Sequence, residues 1–280
     1  MVRRRRQFSS TTASGVSIAY HVRGRGPRTI VFVSGYLAGR QIWNLQTVRL
    51  ARQARTVVYD RRGVGDSERP DSGYGLADNM ADLLAVIDAV APGESVDLVG
   101  HSMGGFISQG FVLAHPERVR SLCLLSTAPY RTTSADFGVG IFVNEEGGPL
   151  RWDVAGLRRA IALLMPEPGF EWVRLNLAER MPDAMDPEQS VKTFQAFDGV
   201  DLRPRLAQVR PPTLVIHGEA DAVVPPQVGK DLAAMIPGAR FTGLEGIGHL
   251  CMLTAPERLV ELLNAHWASL DSAPEQVAAT

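Results

Sequence analysis

Short runs of Val, Ile and Leu alternate along this chain with longer stretches in which apolar residues recur at helical spacing. Val16 to Val22 reads as an early strand, closed by the turn residues Gly24-Arg25-Gly26-Pro27. Thr29 to Ser34, Thr56 to Asp60, Val96 to Gly100, Ser121 to Ser126 and Thr213 to His217 are nearly continuous in β-branched and aliphatic residues. Runs of this kind suit strands buried on both faces, as in a parallel sheet covered by helices. Helical patterns fall between them, over Leu76 to Val90, Gly104 to Ala114, Gln227 to Met235 and Glu257 to Leu270. In the first, Leu76, Met80, Leu83, Leu84, Ile87 and Val90 form one apolar stripe, which marks a core-facing side.

The alternation breaks between about residues 130 and 210. Strand signals vanish there, and helical segments rich in Leu, Met, Trp and Phe are cut by Pro and Gly. Arg158 to Leu164, Trp172 to Arg180 and Val191 to Phe197 are its expected helices. Together these patterns predict an α/β fold with a mostly parallel central sheet flanked by helices. Residues 15–129 and 211–271 would form the core, and residues 130–210 a helical cap over a pocket. Residues 1–14 are expected as a flexible basic leader and residues 272–280 as a frayed tail.

Composition narrows the class of function without naming it. Lys and Arg total 29 against 30 acidic residues, for a net charge of -1 over 280 residues. Nothing global draws the chain to nucleic acid or anionic lipid. The Arg3-Arg4-Arg5-Arg6 run superficially looks like an export signal, but no apolar segment follows it, and no stretch approaches the roughly 18 apolar residues of a membrane span. Cys123 and Cys251 lie far apart in apolar surroundings without metal-ligand spacing, as buried free thiols would. The expectation is a cytoplasmic protein with a small-molecule substrate, no nucleic-acid or membrane partner, no metal and no cofactor; oligomeric state is not legible.

The chemistry enters at Gly100-His101-Ser102-Met103-Gly104, a G-x-S-x-G segment standing where a buried strand gives way to a helix. That context distinguishes a placed nucleophile from a serine that merely caps a helix. It also puts the Met103 amide at a helix N-terminus, where it favours developing negative charge. A serine hydroxyl needs a base and an orienting carboxylate. Of six histidines, His249 lies in the glycine-flanked loop Gly246-Ile247-Gly248-His249, directly after the strand-like Arg240 to Leu244. His101 adjoins the serine and is expected to pack inward, and the other four fall within strands or helices. Asp221 follows the Thr213 to His217 strand, with Glu219 on the same loop as a competing acid.

The order Ser102, Asp221, His249 and the strand-turn-helix setting resemble the α/β-hydrolase superfamily over roughly residues 16–270. The resemblance implies an α/β-hydrolase fold with Tyr36 and Met103 amides forming an oxyanion hole. Ser34-Gly35-Tyr36 stands where the family usually has His-Gly, and Ser34 replaces the histidine whose side chain steadies that loop. Tyr59 to Ser67 resembles the family's D-x-R-G-x-G-x-S segment, with Asp60, Arg61 and Arg62 in supporting roles. With Gly100 to Gly105, it is especially similar to bacterial esterases once described as cofactor-free haloperoxidases. The implied function is a serine hydrolase acting on a carboxylic ester, lactone or thioester of a small, mainly apolar substrate. A biosynthetic enzyme cyclising or rearranging its substrate without net hydrolysis, and a catalytically silent ligand-binding protein, are the alternatives. Ser34, Trp43, Leu164, Trp172 and Phe197 are the expected pocket residues.

Overall fold

The computed structural model describes residues 9–36, 38–131, 153–184 and 187–272. Its strands are β1 (Ser9–Ala13), β2 (Val16–Arg23), β3 (Arg28–Val33), β4 (Ala54–Tyr59), β5 (Val96–His101), β6 (Val119–Leu125), β9 (Thr213–Gly218) and β10 (Arg240–Leu244), in spatial order β1-β2-β4-β3-β5-β6-β9-β10. β2 runs antiparallel to β1 and β4, and all pairings from β4 through β10 are parallel. The central strands are buried on both faces, which is why they are continuous apolar runs in the sequence. Successive side chains of β3 divide between two cores. Val31 and Val33 pack with α2 (Leu76–Val90), α3 (Met103–Ala114) and α7 (Pro226–Met235), whereas Ile30 and Phe32 pack with α1 (Asn44–Leu50) and α9 (Pro256–Asp271).

The expected flexible leader is corrected in its second half: Ser9–Ala13 is the edge strand β1, paired to β2 from Ser9↔Tyr20 to Ala13↔Val16. Small polar side chains carry no apolar alternation, but an edge strand is held by its backbone ladder. Ser14 and Gly15, at φ 51° and 82°, close the hairpin in the way a two-residue turn with positive φ requires. Residues 1–8 of that leader and 273–280 of the expected tail lie outside the described residues.

Among the described residues, two short strands and three α-helices stand between β6 and β9. β7 (Tyr130–Arg131) pairs antiparallel with β8 (Val200–Asp201), closing the base of the insertion. α4 (Val154–Leu164), α5 (Glu171–Ala184) and α6 (Pro187–Gln195) lie between them. α4 begins four residues earlier than its apolar pattern suggests because the Asp153 side chain accepts the Gly156 amide at 2.7 Å and caps it. α6 begins at Pro187, a residue suited to a first helical turn, and ends before Phe197. A four-residue helix, α8 (Cys251–Thr254), precedes α9. No described helix is long and apolar enough to cross a membrane.

Candidate active site

Ser102 joins β5 to α3 at φ 51° and ψ −122°, a region that costs a non-glycine residue about 1–3 kcal/mol. The surroundings leave it no alternative. Its amide donates to Leu125 O at 2.9 Å, its carbonyl accepts from Phe106 N at 3.0 Å, and the Thr127 hydroxyl donates to the same carbonyl at 2.7 Å. A Cβ at Gly104 would collide with the Val33 and Ser34 carbonyls, and one at Gly100 with Ser108 and Gly104, so strand and helix meet this closely only through glycine. Met103 is the first residue of α3, which places its amide among the unsatisfied donors of a helix N-terminus.

His249 is brought to the same edge by the loop after β10. Its Nδ1 donates to Asp221 Oδ2 at 2.8 Å. This sets the tautomer and leaves Nε2 as the free acceptor of the ring. Asp221 Oδ1 accepts the Val223 and Val224 amides at 2.8 and 3.0 Å. Burial opposes ionisation of Asp221, but the His249 imidazole and hydrogen bonds from His217 and His249 outweigh it and hold the carboxyl well below the usual carboxylate range. Glu219, the competing acid, is exposed and takes no part in this contact. Ser102 and His249 line one pocket, and no hydrogen bond joins them in this structure.

Two further histidines surround this pair. His217, wholly buried on β9, donates from Nε2 to Val224 O at 2.9 Å with Asp221 Oδ2 at 3.3 Å, so it braces the loop and faces the carboxylate. His101 packs inward as expected, its Nε2 donating to the His249 carbonyl at 2.9 Å. Burial, and then the neighbouring His249, push its pKa down to about 3, so it stays neutral. The inserted segment also reaches the base: Leu164 O accepts the His249 and Leu250 amides at 2.9 and 3.2 Å, and the buried Glu167 carboxylate accepts Gly248 N at 2.7 Å. His217 and Glu167 carry no sequence signal of this role, because their partners lie in other elements.

The loop carrying Tyr36 is steadied by its own serine. Ser34 Oγ accepts from Trp43 Nε1 at 3.1 Å and donates to Gly39 O at 3.3 Å. Arg61, fully buried, donates to the Ser34 and Gly35 carbonyls at 3.2 and 3.0 Å. Asp60 accepts the Arg40 and Asp66 amides at 2.7 and 3.0 Å and pairs with the Arg40 guanidinium. The Tyr36 hydroxyl reaches Ser190 on α6, donating to its carbonyl at 3.0 Å, and burial raises its pKa to about 12.

The pocket is walled by Leu164 and Phe197 together with Phe106, Phe194, Val223, Val224 and Leu250. Three expected lining residues are corrected. Ser34 and Trp43 are fully buried in the hydrogen bond that joins them, with Trp43 packed against Phe32, and neither lines the pocket. Trp172 is 72% exposed on the far side of α5, where its apolarity alone does not bring it to the cavity. Arg131, Tyr130 and Thr127 line the pocket without having been singled out, since nothing local marks the residues just past β6 as facing it.

This arrangement can activate a serine hydroxyl next to helix-terminal amides inside an apolar cavity. The model of the alpha/beta hydrolase family matches residues 30–262. A protein of Azorhizobium caulinodans named as the carbamate hydrolase RutD is 30% identical over 268 residues, covering 90% of this chain and 95% of its own. The pimeloyl-[acyl-carrier protein] methyl ester esterase of Neisseria meningitidis is 26% identical over 242 residues, covering 84% and 91%. Among solved structures, a hydrolase from Pseudomonas aeruginosa superposes with a TM-score of 0.80 at 26% identity, covering 93% of this chain and 98% of that one.

Proposed function

The chain belongs to the alpha/beta hydrolase family, and from that premise we propose that it is a carboxylesterase-type serine hydrolase working through an acyl-enzyme. Ser102 Oγ attacks the carbonyl carbon of an ester or lactone while His249 Nε2 takes its proton and passes it to the leaving alcohol oxygen. Water then attacks the acyl-enzyme, giving its proton to the same nitrogen, which passes it to Ser102 Oγ as the acyl C–O bond breaks and the acid leaves. Asp221 holds the imidazole in the tautomer this needs. The amides of Met103 and Tyr36 stabilise the oxyanion, and the insertion acts as the cap of the pocket.

The observation that carries this reading is the 2.8 Å Asp221–His249 hydrogen bond, which leaves Nε2 directed to chemistry beside a serine held at φ 51° in one cavity. The aromatic and aliphatic walls support a mainly apolar acyl or alcohol part. Two buried thiols with no disulfide between them are consistent with a cytoplasmic enzyme. A fluorophosphonate probe should label the protein at Ser102, and p-nitrophenyl esters of longer acyl chains should outpace the acetate. Absence of labelling on the intact protein would refute the serine mechanism, and preference for acetate would refute the apolar pocket.

A further inference from the structure

Arg131 carries the one permanent charge among the described residues that line the pocket. It stands on β7, whose pairing with β8 presents it from a strand ladder at the base of the insertion. The guanidinium lies over the Phe194 ring, 3.2 Å from its centroid, and Nε donates to Asp198 Oδ1 at 2.8 Å. These two contacts set the plane and rotation of the group. Its Nη2 is buried and has no hydrogen-bond acceptor among the described residues.

Such a donor is costly. A buried N–H of a charged group without an acceptor loses its hydration without regaining a hydrogen bond, and the Asp198 carboxylate that partly compensates the charge is itself 34% exposed. A wholly apolar substrate would deepen that cost by excluding water from around the cation. An anionic oxygen would remove it, forming a charge-assisted hydrogen bond inside a cavity whose other walls are aromatic and aliphatic. Because Phe194 and Asp198 already orient the guanidinium, little side-chain entropy remains to be lost on binding.

We propose that Arg131 forms an anion subsite of this pocket, and that the substrate is an apolar-bodied ester or lactone bearing a second, free carboxylate that pairs with the Arg131 guanidinium. The proposal rests on the pocket being the substrate site of the hydrolase read above, and binding to an inactive protein separates the two. In the Ser102→Ala protein, monomethyl adipate should bind at least about tenfold more tightly than dimethyl adipate by calorimetry, and adding Arg131→Met should abolish the difference. Equal affinity for the two esters overturns the subsite, and this comparison needs no change at Arg131. With Ser102 intact, kcat/KM for the p-nitrophenyl monoester of adipic acid should exceed that for p-nitrophenyl hexanoate. Arg131→Met should lower that ratio by roughly 30- to 100-fold, mainly through KM, and Arg131→Lys should restore part of it. A ratio unmoved by Arg131→Met overturns the proposal. Tight monomethyl adipate binding without turnover of either p-nitrophenyl ester would uphold the subsite and reject the serine mechanism.

Discussion

The turn that carries Ser102 and the loop that carries Tyr36 lie against each other, close enough that a Cβ at Gly35 would stand 3.1 Å from Ser102 Cβ, yet they are held by opposite means. The turn is bound by backbone: a strand on one side, a helix on the other, and amide–carbonyl bonds to Leu125 and Phe106. The loop has no ladder of its own. Side chains from distant elements hold it: Arg61 on two of its carbonyls, Trp43 on Ser34, Asp60 on the Arg40 amide and Ser190 of α6 on the Tyr36 hydroxyl. A serine in place of the family's histidine is tolerated because it recruits an indole N–H and a nearby carbonyl to the same task. A strained turn can thus be specified by five consecutive residues, whereas a loop of similar importance is specified by the fold around it.

The comparison breaks most severely on the side of the turn. Ser102→Ala should lower p-nitrophenyl butyrate turnover by roughly 10³- to 10⁶-fold, measured against a folded control by circular dichroism. Turnover near that of the unaltered protein would mean the turn presents no nucleophile. Asp221→Asn should cost about 10⁴-fold in kcat with little change in melting temperature, since the amide favours the wrong tautomer of His249; a Glu219→Gln protein should keep most of its activity, and the reverse ranking would assign the acid to Glu219.

On the side of the loop the effects are smaller and appear first as stability. Ser34→Ala leaves the buried Trp43 Nε1 without its acceptor and should destabilise by about 1–3 kcal/mol in urea titration, with a loss of about tenfold in kcat/KM. An unchanged midpoint would show that the loop is held without its serine. Beneath both regions lies His101, whose folded pKa of about 3 is below the unfolded value of 6.5. Between those two values the unfolded chain binds the extra proton, so stability should fall as pH drops from 6.5 toward 3. That one group contributes a slope of about 1.4 kcal/mol per pH unit. His101→Asn should flatten the dependence by that amount, and an unaltered slope would show that His101 is not held neutral; His266, lowered to about 4 in the same direction, remains as background.

Much of the sheet was legible for the same reason the turn was. Strands such as Thr213–Gly218 are buried on both faces, and burial of that kind writes an unbroken apolar run into the chain. β1 was not legible as a strand because a polar edge carries no such run. In the insertion Leu164 and Phe197 line the pocket while Trp172 does not, and outside it Trp43, expected there from the resemblance, is buried against Phe32. One of those tryptophans faces solvent and the other the core, and helical content alone does not say which way a cap helix docks.

By itself the sequence determined the alternating α/β order and the position of Ser102 on its turn, because both depend on neighbours within a few residues. Tertiary structure brought Asp221, which the sequence already put ahead of Glu219, onto His249, and it alone decided that Ser34 steadies the Tyr36 loop through Trp43 and that Arg131 comes to the pocket wall with Nη2 unpaired. Asp221 and His249 are 28 residues apart, Arg131 and its partner Asp198 are 67 apart, and even Ser34 and Trp43, nine apart, belong to different elements. The geometry of each contact is set by how strands and helices pack, a quantity no local pattern of hydrophobic and polar residues contains.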